Sequence, residues 1–222
     1  MNIGSNIENI RATLPDDVTL VAVSKFHPQE AIMEAYNVGQ RDFGESRVQE
    51  LEMKVKVLPD DIRWHFIGHL QTNKVKQLIP HAYLIHSVDS VKLLECINKE
   101  ARRQNLIVNI LIQIHVALEE TKFGFTKEEC LEIFSKNVAE QFANVRICGI
   151  MGMATNTEDE SEIRKEFKQL KSVFDTLKAT EMADNPYFKE ISMGMSDDYR
   201  IAVEEGSTIV RVGSSIFGTR QY

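Results

Sequence analysis

Eight short β-branched or apolar runs recur along this chain, and each of the first seven is followed by a longer amphipathic segment. This alternation leaves few topologies open. A strand that feeds a helix and then a further strand makes a right-handed crossover, so the sheet is parallel and covered by helices. Eight such units are the number that closes a (β/α)8 TIM barrel, and 222 residues are a compact length for one. The pattern predicts strands over residues 19–25, 42–45, 64–68, 83–88, 108–116, 145–151, 188–193 and 209–213. It predicts an extra N-terminal helix over 3–13, then helices over 28–38, 47–57, 73–79, 90–104, 126–142, 158–180 and 197–205, with residues 216–222 as a tail.

Local chemistry supports these bounds. Ser90 precedes a helical period as an N-cap, and Thr126 has Glu129 three residues on, the spacing of a capping box. Gly39 and Gly206 stand where helices stop. The rival architecture is an open doubly wound sheet, but no G-x-G-x-x-G turn follows the first strand. No proline- or serine-rich linker interrupts the alternation, so residues 1–222 read as one domain.

Charge and composition narrow the function classes. The formal net charge is -7, which argues against a nonspecific grip on nucleic acid or an anionic membrane. The N-terminus, MNIGSNIENI, has no basic region followed by a long apolar stretch, and no apolar run reaches the ~18 residues of a membrane span. The three cysteines, Cys96, Cys130 and Cys148, are widely spaced and odd in number, so they fit neither a disulfide framework nor a zinc ribbon. Buried, inert thiols in a reducing cytoplasm are the expectation.

A barrel of this kind works at the C-terminal end of its strands. There the apolar run TLVAV leads through Ser24 into Lys25, a cation that either reaches solvent or performs amine chemistry in a pocket. DFGES places Glu45 and Ser46 at the same mouth. At the ends of strands seven and eight, where barrels often hold phosphate, SMGMSDD supplies Ser192 and Gly194. VGSSIFG supplies Gly213, Ser214 and Ser215, and Arg211 lies two residues before Gly213 on the same strand face. The first and last strands of a closed barrel are neighbours. An amine beside a phosphate cradle suits pyridoxal 5′-phosphate (PLP), which carries an aldehyde and a phosphate; barrel phosphate sites serve other ligands too.

The chain resembles the pyridoxal phosphate homeostasis proteins, single-domain PLP-binding proteins that share the barrel of alanine racemase. The matching stretches run in order from Leu20 to Arg220: LVAVSK, DFGES..QE, WHFIGHLQTNK, SVDS, TKFGF, GIMGMAT, ISMGMSDDY and EEGSTIVRVGSSIFGTR. The resemblance implies a fold-type III PLP-binding barrel. It implies that Lys25 forms a Schiff base with the cofactor, that Ser192, Gly213 and Ser214 hold the phosphate, and that Arg211 faces the pyridine nitrogen. The family usually has asparagine where this chain has Ser46, an aromatic at Arg47, and often asparagine at His115. Ser46 is counted with the pocket, and its details are where the departures bear.

An arginine at the ring nitrogen keeps that nitrogen unprotonated and weakens the ring as an electron sink. Alanine racemase uses the same arrangement, but with a tyrosine base lent by a second domain of its partner subunit. This chain ends within about ten residues of strand eight, and no second acid/base is evident in the sequence. The expectation is a monomeric cytoplasmic carrier or reservoir of PLP with slow or absent turnover, whose other partners are PLP-dependent apo-enzymes in transient contact. A low-activity amino-acid racemase is the alternative, and a sugar-phosphate enzyme with Lys25 as its Schiff-base lysine is a weaker one.

Other features have blander readings. His65 and His69 lie four apart but flank a strand end, so a hydrogen-bonded His65 is expected rather than a zinc pair. Lys74 reads as a solvated helix start. Asp197-Asp198 reads as a helix cap, and the run TEDESE as another solvated helix start. Met151, Met153, Met193 and Met195 read as core filler.

Overall fold

A computed structural model describes residues 2–117, 123–135 and 141–218. Eight parallel strands close into a barrel in sequence order. They are β1 (Thr19–Val23), β2 (Asp42–Glu45), β3 (Arg63–Phe66), β4 (Leu84–Val88), β5 (Val108–Gln113), β6 (Val145–Met151), β7 (Glu190–Ser192) and β8 (Ile209–Val212). The helices are α1 (Ile3–Arg11), α2 (Gln29–Asn37), α3 (Val48–Val55), α4 (Val75–Leu78), α5 (Val91–Arg103), α6 (Lys127–Ser135), α7 (Glu160–Ala179), α8 (Tyr199–Glu204) and α9 (Ser214–Phe217). Residues 72–74 form one 3-10 turn ahead of α4. The expected TIM barrel with its extra N-terminal helix is therefore the fold.

Two apolar cores explain the alternating burial. One lies between the strands and the helices and includes Phe43, Phe66, Ile85 and Ile110 against Leu51, Leu94 and Phe167. The other fills the inside of the barrel with Val21, Leu84, Leu111, Met151 and Ile209. Successive residues of a strand point to opposite faces, so both layers are written into each strand. The ring closes where β1 pairs with β8 through Thr19↔Ile209, Leu20↔Val210, Val21↔Arg211 and Ala22↔Val212.

The seam between β7 and β8 is the short one, with a single registered pair, Ser192↔Ile209. Side chains reinforce it. The Ser207 hydroxyl donates toward the carbonyls of Met193 (2.8 Å) and Ile209 (3.0 Å), and the Ile191 amide donates to Thr208 Oγ1 (2.8 Å). On the other side of β7, Gly149 adopts a φ of +154° and passes so close to Glu190 that a Cβ would sit 1.8 Å from its carbonyl oxygen. Only glycine permits this approach.

Several local signals act as expected. Ser90 Oγ accepts the Leu93 amide (3.3 Å) at the start of α5. Thr126 and Glu129 form a reciprocal capping box: the Thr126 amide donates to Glu129 Oε2 (2.8 Å) and the Glu129 amide to Thr126 Oγ1 (3.1 Å). Asp159, within the acidic run, caps α7 by accepting the amides of Ser161 and Glu162. The strands beginning at β1, β3 and β5 end earlier than predicted, and α9 replaces the start of the expected tail. The C-terminal part of the helix predicted over 126–142 and residues 219–222 of the tail lie partly outside the described residues.

The cysteines are free. Cys130 is buried, and burial pushes its thiol up to about 12. Cys148 and Cys96 are half-buried rather than buried; burial raises both, Cys148 to about 11. None is primed as a thiolate nucleophile.

Candidate functional site

At the C-terminal mouth of the barrel lies a cavity of about 280 Å³. Its walls come from opposite ends of the chain. Val23 ends β1, with Lys25 and His27 after it; Met151 ends β6, with Met153 after it; and Ser196 and Asp197 follow β7. Arg211, Gly213 and Ser214 come from β8 and the start of α9. Lys25, Arg211, Gly213 and Ser214, singled out from the sequence, thus meet on one cavity.

The Lys25 segment is held from behind. Phe26 has a φ of +67°, a left-handed conformation unusual for a side chain of its kind. Its amide donates to Glu50 Oε1 at 2.6 Å. Lys54 Nζ then ties the segment together by donating to the Ser24 carbonyl (2.9 Å), Glu45 Oε1 (2.7 Å) and Glu50 Oε1 (2.8 Å). Ser24 Oγ also donates to Glu45 Oε1 (2.6 Å). Glu45 was expected at the mouth. It instead points outward from the barrel, fully buried against α3, because it shares strand parity with Phe43. Burial pushes its carboxyl up to about 7, outweighing the attraction of Lys54.

Arg211 is buried within the barrel. Its Nη1 donates to Ser192 Oγ (2.5 Å) and its Nη2 to the Gly152 carbonyl (3.1 Å). Burial lowers its pKa to about 10, opposed by Asp198, so the guanidinium stays charged at neutral pH. Ser196 Oγ accepts the Gly213 amide at 3.1 Å, joining the loop after β7 to the loop after β8.

Two residues expected at the pocket are not among its walls. Ser192 is the last residue of β7 and is fully buried, with its hydroxyl already engaged by Arg211 and by His86 Nδ1 (2.9 Å). The hydroxyl that reaches the cavity belongs to Ser196, four residues later in the same SMGMSDD motif. Ser46 is half-buried and packs its backbone against Gly68, where a Cβ would come within 2.2 Å of the Ser46 carbonyl oxygen.

His27, which the sequence reading gave no site role, and Asp197, which it read as part of a helix cap, line the cavity and place titratable groups at the mouth. The His27 ring stacks on Phe217, with centroids 4.8 Å apart. The only sequence signal for His27 was its position two residues after Lys25. Asp198 occupies the N-cap position of α8 without a capping bond. Its Oδ1 accepts the Met195 amide (2.5 Å) instead, which tightens the loop beside the cavity. Met153 and Met195 line the pocket as well, whereas Met193 is core.

The His65 and His69 pair divides as expected. His65 is buried and bonded to Asp42 (3.0 Å) and His86 (2.9 Å). His69 is bonded to Asp89 (2.9 Å) and stacked on Phe123.

An amine, a buried guanidinium and the serines Ser196 and Ser214 on one small cavity form a donor set for a ligand with an aldehyde at one end and an anion at the other. The residues present fit PLP on that ground.

Comparison with known proteins follows from this geometry. Residues 1–221 match the family model described as alanine racemase, N-terminal domain. The pyridoxal phosphate homeostasis protein of Aquifex aeolicus is 41% identical over 204 residues, covering 91% of this chain and 87% of that protein. The protein of the same name from Schizosaccharomyces pombe is 40% identical over 207 residues, covering 92% and 85%. PipY of Synechococcus elongatus, solved with PLP bound, superposes with a TM-score of 0.87 at 35% identity, covering 97% of this chain and 100% of that one. The same protein without PLP gives a TM-score of 0.91. With a barrel matched along nearly its whole length and relatives this similar over nine-tenths of it, the chain belongs to the pyridoxal phosphate homeostasis protein family, within the larger family of the alanine racemase N-terminal domain.

Proposed function

We propose that this protein binds PLP at the C-terminal mouth of its barrel and serves as an intracellular carrier or reservoir of the cofactor, with little turnover of its own. The observation that carries the reading is that Lys25 and Arg211, Gly213 and Ser214 share one cavity of about 280 Å³ although they lie at opposite ends of the chain. Lys25 supplies the amine for covalent attachment at the aldehyde. Gly213, Ser214 and Ser196 supply the cup for the phosphate. Arg211, able only to donate hydrogen bonds, faces the ring nitrogen and leaves it unprotonated. When bound, PLP supplies an aldehyde that captures amines and a ring that withdraws electrons. The relatives named for PLP homeostasis and PipY with its bound PLP support the same reading. Transient contact with PLP-dependent apo-enzymes would complete a carrier's task, and a monomer would suffice for it.

The experiment is borohydride reduction of the PLP-loaded protein followed by peptide mapping. The label is expected on Lys25; a label on another lysine, or none, rejects the site. A second reading, a slow amino-acid racemase, is favoured by one observation: His27 and Asp197 bring groups that can move protons to the cavity wall. Exchange of the α-hydrogen of L- and D-alanine in D2O separates the two. The carrier reading expects exchange far below ~1 s⁻¹, and exchange at that rate or above makes the protein an enzyme.

A further inference from the structure

A chain of five buried polar side chains crosses the inside of the barrel and ends on Arg211. Arg211 Nη1 on β8 meets Ser192 Oγ on β7 at 2.5 Å, and Ser192 Oγ meets His86 Nδ1 on β4 at 2.9 Å. His86 Nε2 meets His65 Nδ1 on β3 at 2.9 Å, and His65 Nε2 meets Asp42 Oδ1 on β2 at 3.0 Å. At its far end, Asp42 is also gripped by Arg63 through Nε (2.7 Å) and Nη2 (2.5 Å). Ser192, His86 and His65 are at most 1% exposed.

A carboxylate can only accept and a guanidinium can only donate, so Asp42 fixes the bond beside it: His65 carries a proton on Nε2 and donates to Asp42. With neutral imidazoles that direction carries through the chain. His65 Nδ1 accepts from His86 Nε2–H, and His86 Nδ1 accepts from the Ser192 hydroxyl, which accepts from Arg211. In this arrangement both imidazoles are the Nε2–H tautomer. Protonating His65 on Nδ1 would turn His86 around and aim two donors at Ser192 Oγ, leaving the hydroxyl proton to seek a new acceptor. A guanidinium terminus also cannot take up a proton, so the chain is a brace rather than a conduit.

We propose that Ser192, His86, His65 and Asp42 are positioning residues for Arg211: a one-way hydrogen-bond chain that runs through β7, β4 and β3 to its anchor on β2, which fixes the orientation of the guanidinium before the cofactor arrives. This rests on the reading that Arg211 faces the ring of PLP, and it assigns to Ser192 a part in place of phosphate binding. With Nη1 and Nη2 both committed, the guanidinium has one orientation in which to meet the ring, and the protein need not order it on binding.

The test has two arms that fail independently. In cofactor-free protein labelled with ¹⁵N-histidine, long-range ¹H–¹⁵N correlation at pH 7 is expected to show His86 and His65 both as Nε2–H. An Nδ1–H tautomer or an imidazolium at either residue overturns the proposed chain whatever the ligand. In the second arm, PLP is titrated into His86→Leu and His86→Gln. Loss of the brace in His86→Leu is expected to weaken PLP binding about tenfold and to shift the pH midpoint of the bound chromophore's absorbance. His86→Gln, whose amide can accept from Ser192 and donate onward, is expected to restore most of both. A His86→Leu variant that still attaches PLP at Lys25 with unchanged affinity and unchanged pH midpoint overturns the link to the site. Failure of the wild-type protein to attach PLP at Lys25 would instead remove the reading on which the link rests.

Discussion

Two buried side chains give opposite answers to a change of pH, and their balance is testable residue by residue. The Glu45 carboxyl is raised by burial to about 7 in the folded protein, above its ordinary value of 4.5. Between those values the folded state holds the proton more tightly, so the contribution of Glu45 to stability is full below pH 4.5 and is lost as pH rises toward 7. It amounts to something on the order of 3 kcal/mol. His86 is held well below its ordinary 6.5, chiefly by burial. Its contribution is full above pH 6.5 and is lost as pH falls below it. In wild type the two slopes oppose each other across pH 4.5–7. In Glu45→Gln the urea midpoint should rise with pH over this window more steeply than in wild type, and in His86→Leu it should fall. A Glu45→Gln profile parallel to that of wild type would show that the carboxyl titrates near its ordinary value. The same residues show what was legible beforehand. Lys25, Arg211, Gly213 and Ser214 were readable because strand ends and glycine turns mark the mouth of a barrel. That Ser192 is buried inside the barrel while Ser196 lines the cavity was not legible, because the phase of a three-residue strand decides which serine stays inside and which rises above it. The brace behind Arg211 was out of reach, since His86 and Ser192 are 106 residues apart and only barrel closure brings them together.

At the scale of elements, the alternation of strands and helices was readable throughout, and the bounds of β2 and β6 were those the pattern predicts. Among the strands, the departures lie at their ends. Apolar residues continue past the assigned strand ends: Ile67 after β3 still donates its amide to the Glu45 carbonyl (2.9 Å) and Ile114 after β5 to the Met151 carbonyl (2.8 Å). A hydropathy run records apolar character and not ladder pairing, so it overshoots the assigned strand. Phe26 departs in the other direction. Its left-handed backbone breaks the run directly after Lys25, and it persists because Glu50 and Lys54 on or beside α3 grip both sides of the segment. Helix α3 therefore does more than cover the sheet: it holds the turn that carries the site's lysine. The sequence gives Lys54 no environment, and only the tertiary contacts with the Ser24 carbonyl and Glu45 show it to be buried.

For the whole molecule, the site sits on the line where the barrel closes. Strand β1, which leads to Lys25, pairs with β8, which carries Arg211 and leads to Gly213, so the first and last strands of the chain meet beneath the cavity. The next seam, β7 to β8, has one registered pair, and the Ser207 and Thr208 side chains add to its backbone bonds. A ligand attached at Lys25 and held at Gly213, Ser214 and Ser196 would bridge β1, β7 and β8 and resist the opening of this part of the ring. Because such a ligand binds the closed barrel and not the unfolded chain, PLP at about 100 times its dissociation constant should add about 2.7 kcal/mol of stability. For a domain of this size that is a rise of about 5–10 °C in Tm. The gain should not be uniform: hydrogen exchange should slow most in β1, β7 and β8 and least in β4 and β5, which lie across the barrel from the closure. In Lys25→Ala the phosphate cup and Arg211 remain, so a smaller shift should persist. Protection spread evenly over all eight strands, or confined to β4 and β5, would place the ligand somewhere other than the seam.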